Sequence, residues 1–249
     1  MEKLQYKDTK HFKFGIGLFE TIKILNKKPI FLEEHLNRLK KSIIDLKLNY
    51  EINFISLKND IKKIALLYDK KAIRITINEM GYNIALRDIN YNKLDYKKGY
   101  SLCFSNIKRG YSFLYNHKTT SYYENMYNKE YALGRGFDDS IFLDTKDSLL
   151  ETSFCNIFFT KDNNIYTPKI ENQALNGIVR TKIFKIAEIN NLNIQQLIIN
   201  IDDIKNFEGC FITNSLMNII YVNSIENIVF KETNIIKYIS NQLKNIELK

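Results

Sequence analysis

The sequence predicts an α+β protein with two lobes, and three observations carry this prediction. Apolar residues alternate in short runs typical of strands, and they recur at helical spacing in longer runs between those strands. The segment 108–117 interrupts both patterns. Hydrophobic residues make up 45% of the 249 residues, which is enough for a substantial core. We expect a small N-terminal α/β domain over residues 1–107, an interdomain linker at 108–117 and a larger C-terminal domain at 118–249.

The first lobe is predicted to contain two helices and four strands. From Leu32 to Leu46 the apolar residues fall three or four positions apart, which is the period of a helix, and the run 55–67 repeats this pattern. Pro29 ends the strand that precedes the first helix. The strands of this lobe are expected at 16–25, 71–77, 81–88 and 100–107.

The second lobe is predicted to begin with a helix from Tyr122 to about Leu133, which Gly134 closes as a C-cap. Short apolar runs then alternate with two further segments of helical period. The strands are expected at 139–144, 151–160, 164–166, 197–201, 209–213 and 219–225, and the helices at 177–190 and 233–246.

Charge and cysteine usage narrow the classes of partner. The net charge of +9 comes from 37 basic and 28 acidic residues, but lysines are spread along the chain beside acidic residues, so we expect no nucleic-acid partner and an anionic small molecule instead. No apolar stretch of about 20 residues exists, so no membrane contact is expected. Cys103, Cys155 and Cys210 lie in apolar runs, and together with a polar N-terminus they predict buried free thiols and a cytoplasmic protein.

Several common catalytic motifs are absent. The three histidines are far apart in sequence, and neither a His-Glu-x-x-His nor a Cys-x-x-Cys metal motif occurs, so no metal site is expected. A Gly-x-Ser-x-Gly elbow and a Gly-x-x-x-x-Gly-Lys phosphate loop are also missing. An enzyme with this sequence therefore needs a lysine nucleophile or a bound organic cofactor.

Four groups of segments occur together in a characteristic order. They are Gly15-Ile-Gly-Leu-Phe-Glu-Thr-Ile with Phe31-Leu-Glu-Glu-His-Leu-Asn-Arg-Leu, Lys118-Thr-Thr-Ser-Tyr-Tyr-Glu-Asn-Met, Glu151-Thr-Ser-Phe-Cys-Asn-Ile-Phe-Phe, and Asn176-Gly-Ile-Val-Arg with Thr213-Asn-Ser-Leu-Met. From about Phe14 to Val222 the chain resembles the fold-type IV family of pyridoxal 5'-phosphate (PLP) enzymes, the class IV aminotransferases. The resemblance implies a fold like that of D-amino-acid aminotransferase, with a mixed sheet or barrel in the larger lobe, and a homodimer.

The resemblance places two catalytic groups. Lys118 stands at the position of the lysine that forms a Schiff base with PLP, which requires an uncharged amine although a free lysine has a pKa of about 10.4. Without the flanking segments, Lys118 would be read as one more surface lysine. Glu151 stands where the family keeps a buried carboxylate that holds the pyridine nitrogen protonated. The alternative for Glu151 is a solvated turn residue.

The phosphate of PLP is the next group that the resemblance assigns. Arg38 looks like the family's phosphate arginine, and the alternative is an arginine on a helix surface. Gly177, Ile178 and Val179 open a predicted helix, so their N–H groups are expected to point at the phosphate. His35, on the same predicted helix as Arg38, is interpreted as a packing residue.

Four more residues complete the expected cofactor site. Thr213 and Asn214 end a predicted strand and look like further phosphate ligands through their hydroxyl and amide groups. Asn156 follows Glu151 by five residues and belongs to the same segment of the site. Tyr122 is expected to hydrogen-bond the ring oxygen of the cofactor, with Tyr123 as the competing choice.

Within the family the resemblance is greatest to aminodeoxychorismate lyases, because aminotransferases more often show Gly-Ile-Thr-Arg where this chain has Gly-Ile-Val-Arg. Such a lyase removes pyruvate from 4-amino-4-deoxychorismate and leaves 4-aminobenzoate for folate synthesis. In that reaction Lys118 removes a ring proton and Thr21 is a candidate to serve the leaving group. Lys108 and Arg109 are candidates for binding the substrate carboxylates, and the alternative is that they belong to an ordinary solvated linker. The alternative activity is that of a branched-chain or D-amino-acid aminotransferase, which requires a keto acid.

Overall fold

The structure is a computed structural model that describes residues 9–171 and 173–248. The contacts between Cα atoms divide the chain into two compact units. The first unit comprises residues 9–89 with 117–122, and the second comprises residues 90–116 with 123–248. Among the described helices, none has the length and apolar character that a membrane crossing requires.

The first unit is an antiparallel sheet with the strand order β2 (Lys28–Pro29), β1 (Leu18–Leu25), β3 (Lys70–Asn78) and β4 (Gly81–Arg87). Asn26 and Lys27 adopt left-handed φ values of 50° and 61°, and this backbone closes the tight hairpin between the first two strands. The elements of this unit are α1 (Lys10–Phe14), β1 (Leu18–Leu25), β2 (Lys28–Pro29), α2 (Leu32–Asp45), α3 (Phe54–Ala65), β3 (Lys70–Asn78) and β4 (Gly81–Arg87).

The two faces of this sheet differ because side chains alternate along each strand. One face of β1 and β3 packs against α2 and α3 and forms the core of the unit, which includes Leu18, Ile22, Ile24, Ile73, Ile75, Ile77, Leu36 and Leu39. The other face carries Phe19 and Thr21 on β1 and Arg74 on β3, and Thr21 is the register partner of Arg74. The sheet thus separates an apolar face from one with aromatic and polar groups.

The second unit is a mixed sheet with strand order β10-β9-β8-β11-β12-β5-β6-β7, and β13 pairs with β12. The pairs β12–β5, β5–β6 and β9–β10 are parallel, and the others are antiparallel. The strands are β5 (Tyr100–Arg109), β6 (Asp139–Asp144), β7 (Leu149–Thr152), β8 (Asn156–Lys161), β9 (Asn164–Pro168), β10 (Ile194–Leu197), β11 (Gly209–Asn214), β12 (Asn218–Ile225) and β13 (Ile228–Val229). The helices are α4 (Lys93–Lys98), α5 (Tyr123–Gly134), α6 (Ile178–Ile189) and α7 (Asn234–Leu248), with single 3₁₀ turns at Phe113–Asn116 and Ile201–Asn206.

The central strands of this sheet are buried on both faces. On β8 and β11, Phe158 and Phe211 stack with their ring centroids 4.9 Å apart, and every residue from 156 to 160 is buried. The three cysteines, on β5, β11 and the turn before β8, are buried and unpaired. The cytoplasmic location inferred from these thiols stays a prediction.

The α+β class and the fold-type IV architecture are confirmed, but the chain divides differently from the expected 1–107, 108–117 and 118–249. β5 extends to Arg109, which pairs with Asp144 of β6, so the expected linker begins inside a strand of the second unit. Residues 117–122 return to the first unit because the Phe19 N–H donates to the Lys118 carbonyl at 2.9 Å.

The strand expected over 151–160 is two strands, β7 and β8. The Thr152 N–H donates to the Cys155 carbonyl at 2.8 Å, and the Cys155 N–H donates to Thr152 Oγ1 at 3.2 Å. These two bonds close a turn that an apolar run does not reveal. Glu151 therefore lies near the end of a strand, next to a turn.

Candidate active site

Lys118 lies beside aromatic and cationic side chains on the face of the first unit's sheet that carries Phe19. Its Nζ is 4.4 Å from the centroid of the Phe19 ring and donates to the Tyr122 hydroxyl at 3.4 Å. The rings of Phe19 and Tyr122 meet edge to face with their centroids 5.0 Å apart. The guanidinium carbon of Arg74 lies 3.8 Å from the same Phe19 centroid. We call Lys118, Tyr122, Phe19 and Arg74 the lysine cluster.

Arg74 is the cation of this cluster that sequence reasoning missed. Burial, followed by the charge of Arg87, lowers the pKa of Arg74 from its ordinary value. Within residues 9–171 and 173–248, no carboxylate forms an ion pair with either arginine. Two cations close together, one of them half-buried, form a site that is stabilised by an added anion. The alternation of β3, with its isoleucines on the core face, was the signal that could have placed Arg74 on the other face.

Arg38 belongs to a buried group on the helix-covered face of the sheet. Glu20 Oε1 accepts from Arg38 Nε at 2.6 Å, and Glu20 Oε2 accepts from Arg38 Nη2 at 2.7 Å. His35 Nδ1 lies 2.7 Å from the same Oε2. Burial alone would raise the pKa of Glu20, but the charges and hydrogen bonds of Arg38 and His35 outweigh it and hold the pKa below its ordinary value. His35 is thus buried, as expected of a packing residue, but it is also bonded to a carboxylate.

Glu151 of the second unit is buried, and its carboxylate accepts hydrogen bonds from Arg109 and from the backbone of Leu175. Arg109 Nη1 donates to its Oε1 at 2.8 Å, and the Leu175 N–H donates to its Oε2 at 3.2 Å. Arg109 is only 2% exposed, and its guanidinium carbon lies 3.6 Å from the centroid of the Phe142 ring. Its Nε also contacts the partly exposed Glu124 at 3.3 Å. The structure therefore presents Glu151 as a rigid carboxylate rather than a solvated turn residue.

The N-terminus of α6 lies next to Asn156. The helix starts after Gly177 without a side-chain cap, so the N–H groups of Ile178 and Val179 are available as donors. The Gly177 N–H donates to Asn156 Oδ1 at 3.1 Å, and Asn156 Nδ2 donates to the Leu175 carbonyl at 2.8 Å. A Cβ atom at Gly177 would collide with the Asn156 side chain.

Thr213 adds a hydroxyl to this region because it is the register partner of Asn156 on the neighbouring strand β11. In the part of the chain that the structure describes, the buried Thr213 Oγ1 has no hydrogen-bond partner. A buried hydroxyl without a partner is costly, and an anion would satisfy it. The unpartnered hydroxyl and the uncapped helix N-terminus together fit a phosphate group.

Asn214 is already engaged within its own turn. Its Oδ1 accepts from the N–H groups of Leu216 and Met217 at 2.9 and 3.0 Å, and its Nδ2 lies 3.3 Å from Cys155 Sγ. The side chain thus shapes the turn after β11, which also carries Thr213. The expected contact between the Asn214 amide and a phosphate stays a prediction.

The two candidates for substrate carboxylates both have carboxylate partners. Lys108 Nζ pairs with Asp147 at 2.7 Å, and both side chains are about half exposed. Arg109 is buried and pairs with Glu151 and Glu124. Their role in binding substrate stays a prediction, but the geometry favours Arg109 as a support of Glu151.

The predicted residues thus form one group in each unit. In the first unit, Lys118 and Tyr122 meet in the lysine cluster, Thr21 shares the sheet face with Phe19, and Arg38 is fixed by Glu20. In the second unit the structure brings together the supports of Glu151 and the region around Asn156, through the segment 175–177 that contacts both.

Comparisons with known proteins identify the family of this chain. The model of the class IV amino-transferase family matches residues 17–225, and the chain belongs to this family. The cofactor of the family is PLP, so the expected cofactor is confirmed at that level. In this chain, the uncapped N-terminus of α6 and the hydroxyl of Thr213 fit the phosphate group of PLP.

Individual relatives include both lyases and aminotransferases. An aminodeoxychorismate lyase from Bacillus subtilis is 25% identical over 235 residues, which are 87% of this chain and 80% of that protein. A Rickettsia felis protein assigned as a branched-chain-amino-acid aminotransferase is 37% identical over 98 residues, 39% of this chain and 33% of the relative. The alignment thus spans about a third of that relative's length. A solved structure from Legionella pneumophila, assigned as a 4-amino-4-deoxychorismate lyase, has a TM-score of 0.87 and 26% identity, and covers 99% of this chain and 97% of its own.

Proposed function

We propose that this protein is a PLP-dependent 4-amino-4-deoxychorismate lyase, which forms pyruvate and 4-aminobenzoate for folate synthesis. The choice of a lyase rests on the fraction of this chain over which each relative aligns. The Bacillus subtilis lyase aligns over 87% of this chain, whereas the Rickettsia felis aminotransferase aligns over 39%. The Legionella pneumophila structure supports the same choice at 26% identity.

Lys118 is the proposed covalent attachment point and base. When bound, the cofactor supplies an aldehyde that links to amines and a ring that accepts electrons from the bond to be broken. The Lys118 amine would hold this aldehyde, and it would be free to act as a base once the substrate amine takes its place. The guanidinium of Arg74 lies against the same Phe19 ring as the Lys118 amine. The released amine then removes the proton from the substrate's ring C4.

Glu151 is the proposed partner of the pyridine nitrogen. Its carboxylate is buried and oriented by Arg109 and by the Leu175 N–H, so it can accept a hydrogen bond from a protonated ring nitrogen without rearrangement. Tyr122, which accepts from Lys118 Nζ, is placed to bond the ring oxygen next to the attachment point.

The phosphate is proposed to be bound by donors from several elements. Arg38 supplies a guanidinium, α6 supplies the N–H groups of Ile178 and Val179, and Thr213 supplies a hydroxyl. Asn156 holds Gly177 in place so that the helix begins at the required point. Asn214 contributes through the shape of its turn.

The substrate carries two carboxylates, and we propose that Arg74 and Arg87 bind one of them. Both lack an ion-pair partner among the described residues, unlike Lys108 and Arg109, and Arg74 adjoins Lys118 through the Phe19 ring. Thr21, the register partner of Arg74, then has its hydroxyl on the substrate's side of the sheet and can donate a proton to the departing enolpyruvyl group.

A single assay tests the activity. Purified protein loaded with PLP is given 4-amino-4-deoxychorismate with no keto acid, and 4-aminobenzoate and pyruvate are measured. The proposal predicts equal amounts of both products over many turnovers. Product that stops after one turnover, or that requires a keto acid, contradicts the lyase.

The second candidate is a branched-chain aminotransferase, and the 37% identity to the Rickettsia felis protein favours it. That activity leaves the cofactor in its amine form after each half-reaction, so turnover requires a keto acid acceptor. Branched-chain amino acids supplied with 2-oxoglutarate separate it from the lyase: glutamate forms only if the aminotransferase proposal is correct.

We also propose that the protein is a homodimer, as the family resemblance implies. On α5, Tyr123 is 82% exposed and Met126 and Tyr127 are also exposed, which is apolar surface that a second copy would bury. Sedimentation equilibrium tests this: a mass of twice 29.5 kDa supports the dimer, and a mass of 29.5 kDa contradicts it.

A further inference from the structure

Glu20 is a buried acid to which the proposed reaction gives no task. It is 1% exposed, and its register partner across the sheet is Ile75 of the apolar core. Its neighbours on the same face of β1 are Leu18 and Ile22. A carboxylate among such residues is costly to bury unless its oxygens are bonded to donors.

Among the described residues, the side chains that bond to Glu20 come from α2. Both carboxylate oxygens are used by one edge of the Arg38 guanidinium, since Nε donates to Oε1 and Nη2 donates to Oε2. His35, three residues earlier and therefore on the same side of the helix, lies with Nδ1 2.7 Å from Oε2. This contact requires the proton on Nδ1, because a carboxylate only accepts.

We propose that Glu20, supported by His35, is a positioning residue that orients the Arg38 guanidinium so that its Nη1 edge binds the phosphate of PLP. The inference rests on the proposed function, which makes Arg38 a phosphate ligand. It adds that the orientation of Arg38, and hence phosphate affinity, is set from within the core by Glu20 and His35.

Stability alone does not account for this group. Replacing a buried ion pair with apolar side chains of similar volume is often neutral or stabilising, so a core site gains little by holding a carboxylate and a guanidinium. A guanidinium bonded along one edge is fixed in its plane, and its other edge then points in a defined direction. Because Arg38 is 15% exposed while Glu20 is 1% exposed, the guanidinium lies at the border of the core.

The proposal predicts a phosphate-specific effect, which is measured as the ratio of the dissociation constants of pyridoxal and PLP. Pyridoxal has the aldehyde and the ring but no phosphate, so this ratio isolates the phosphate contribution. We expect Glu20→Gln to lower the ratio roughly 10-fold, about the value of one charge-assisted hydrogen bond, while pyridoxal affinity is unchanged. In an Arg38→Met background the same substitution should have no further effect on the ratio, because Glu20 acts through Arg38.

His35 provides a second test that keeps the ion pair. His35→Leu removes the donor to Glu20 and should lower the ratio, whereas His35→Asn places an amide donor near the Nδ1 position and should restore it. This pair of variants decides the question if Glu20→Gln does not fold. Ile22→Val is the matched control, because it alters the same face of β1 and should leave the ratio unchanged.

The outcomes are distinct. A ratio that stays the same or rises in folded Glu20→Gln overturns the inference, as does equal behaviour of the two His35 variants. Those results leave the proposed function intact if the parent protein still binds PLP covalently. A parent protein that binds neither compound refutes both proposals.

Discussion

Arg109→Met tests the buried pair that supports Glu151. In the wild type, Glu151 is 7% exposed and its carboxylate is bonded to Arg109 and one backbone N–H. Removing one partner of a buried pair costs about 3–5 kcal/mol when the other charge is left uncompensated, and the charge of Arg180, which also acts on Glu151, places the loss towards the lower end of that range. The partly exposed contact with Glu124 adds less than about 1 kcal/mol. We therefore expect the free energy of unfolding of the cofactor-free protein to fall by about 3 kcal/mol.

Urea unfolding of Arg109→Met and of the double variant Arg109→Met/Glu151→Gln measures this loss. The double variant should recover at least about 1 kcal/mol, since it removes the buried Glu151 charge that has lost its bond to Arg109. Lys108→Met is the matched control, because Lys108 precedes Arg109 on β5. It breaks the exposed pair with Asp147 and should cost less than about 1 kcal/mol. An equal loss for Lys108→Met and Arg109→Met, or a double variant less stable than Arg109→Met, refutes the reasoning.

Three further outcomes follow from the same geometry. Thr213→Val removes a hydroxyl that has no partner among the described residues. The free energy of unfolding of the cofactor-free protein should therefore change by less than about 1 kcal/mol, while PLP binds about 10-fold more weakly. A large loss of stability would count against Thr213 as a phosphate ligand. Gly177→Ala forces the Asn156 side chain aside and should weaken the binding of PLP more than the binding of pyridoxal in equilibrium titrations. Equal weakening of both would show that Gly177 has no part in binding the phosphate. Glu20 has a pKa below its ordinary 4.5, so its stabilising contribution is complete above that pH and is lost as the pH falls towards the folded pKa. In acid unfolding curves, Glu20→Gln should therefore lose less stability than the wild type, and parallel curves for the two proteins would contradict this.

The long amphipathic elements were predictable from sequence because their own side chains define them. The period of α2 and the alternation of β3 predicted both elements to within a residue or so at each end. α4 was missed because it is six residues long, contains no buried residue and is started by a capping box between Asn92 and Asp95. The extension of β5 to Arg109 was missed because its pairing with β6 is set by residues distant in the chain.

The site was predictable only as a set of residue types in order. Sequence reasoning picked out Glu151 and Arg109 as separate candidates but not the pair between them, since no local pattern shows that residues 42 positions apart form a buried pair. In the same way, Arg74 was passed over because its importance comes from a neighbour on another segment, Phe19. Residues whose roles depend on packing between segments cannot be assigned from the spacing along one segment.

The central claim is that Lys118 is the lysine that binds PLP. Protein incubated with PLP is treated with borohydride, which makes the bond between cofactor and lysine permanent, and the labelled peptide is identified by mass spectrometry. The account predicts one stoichiometric label, on Lys118, and a Lys118→Ala protein that stays colourless. A label on a different lysine, or scattered partial labelling of surface lysines, would contradict it.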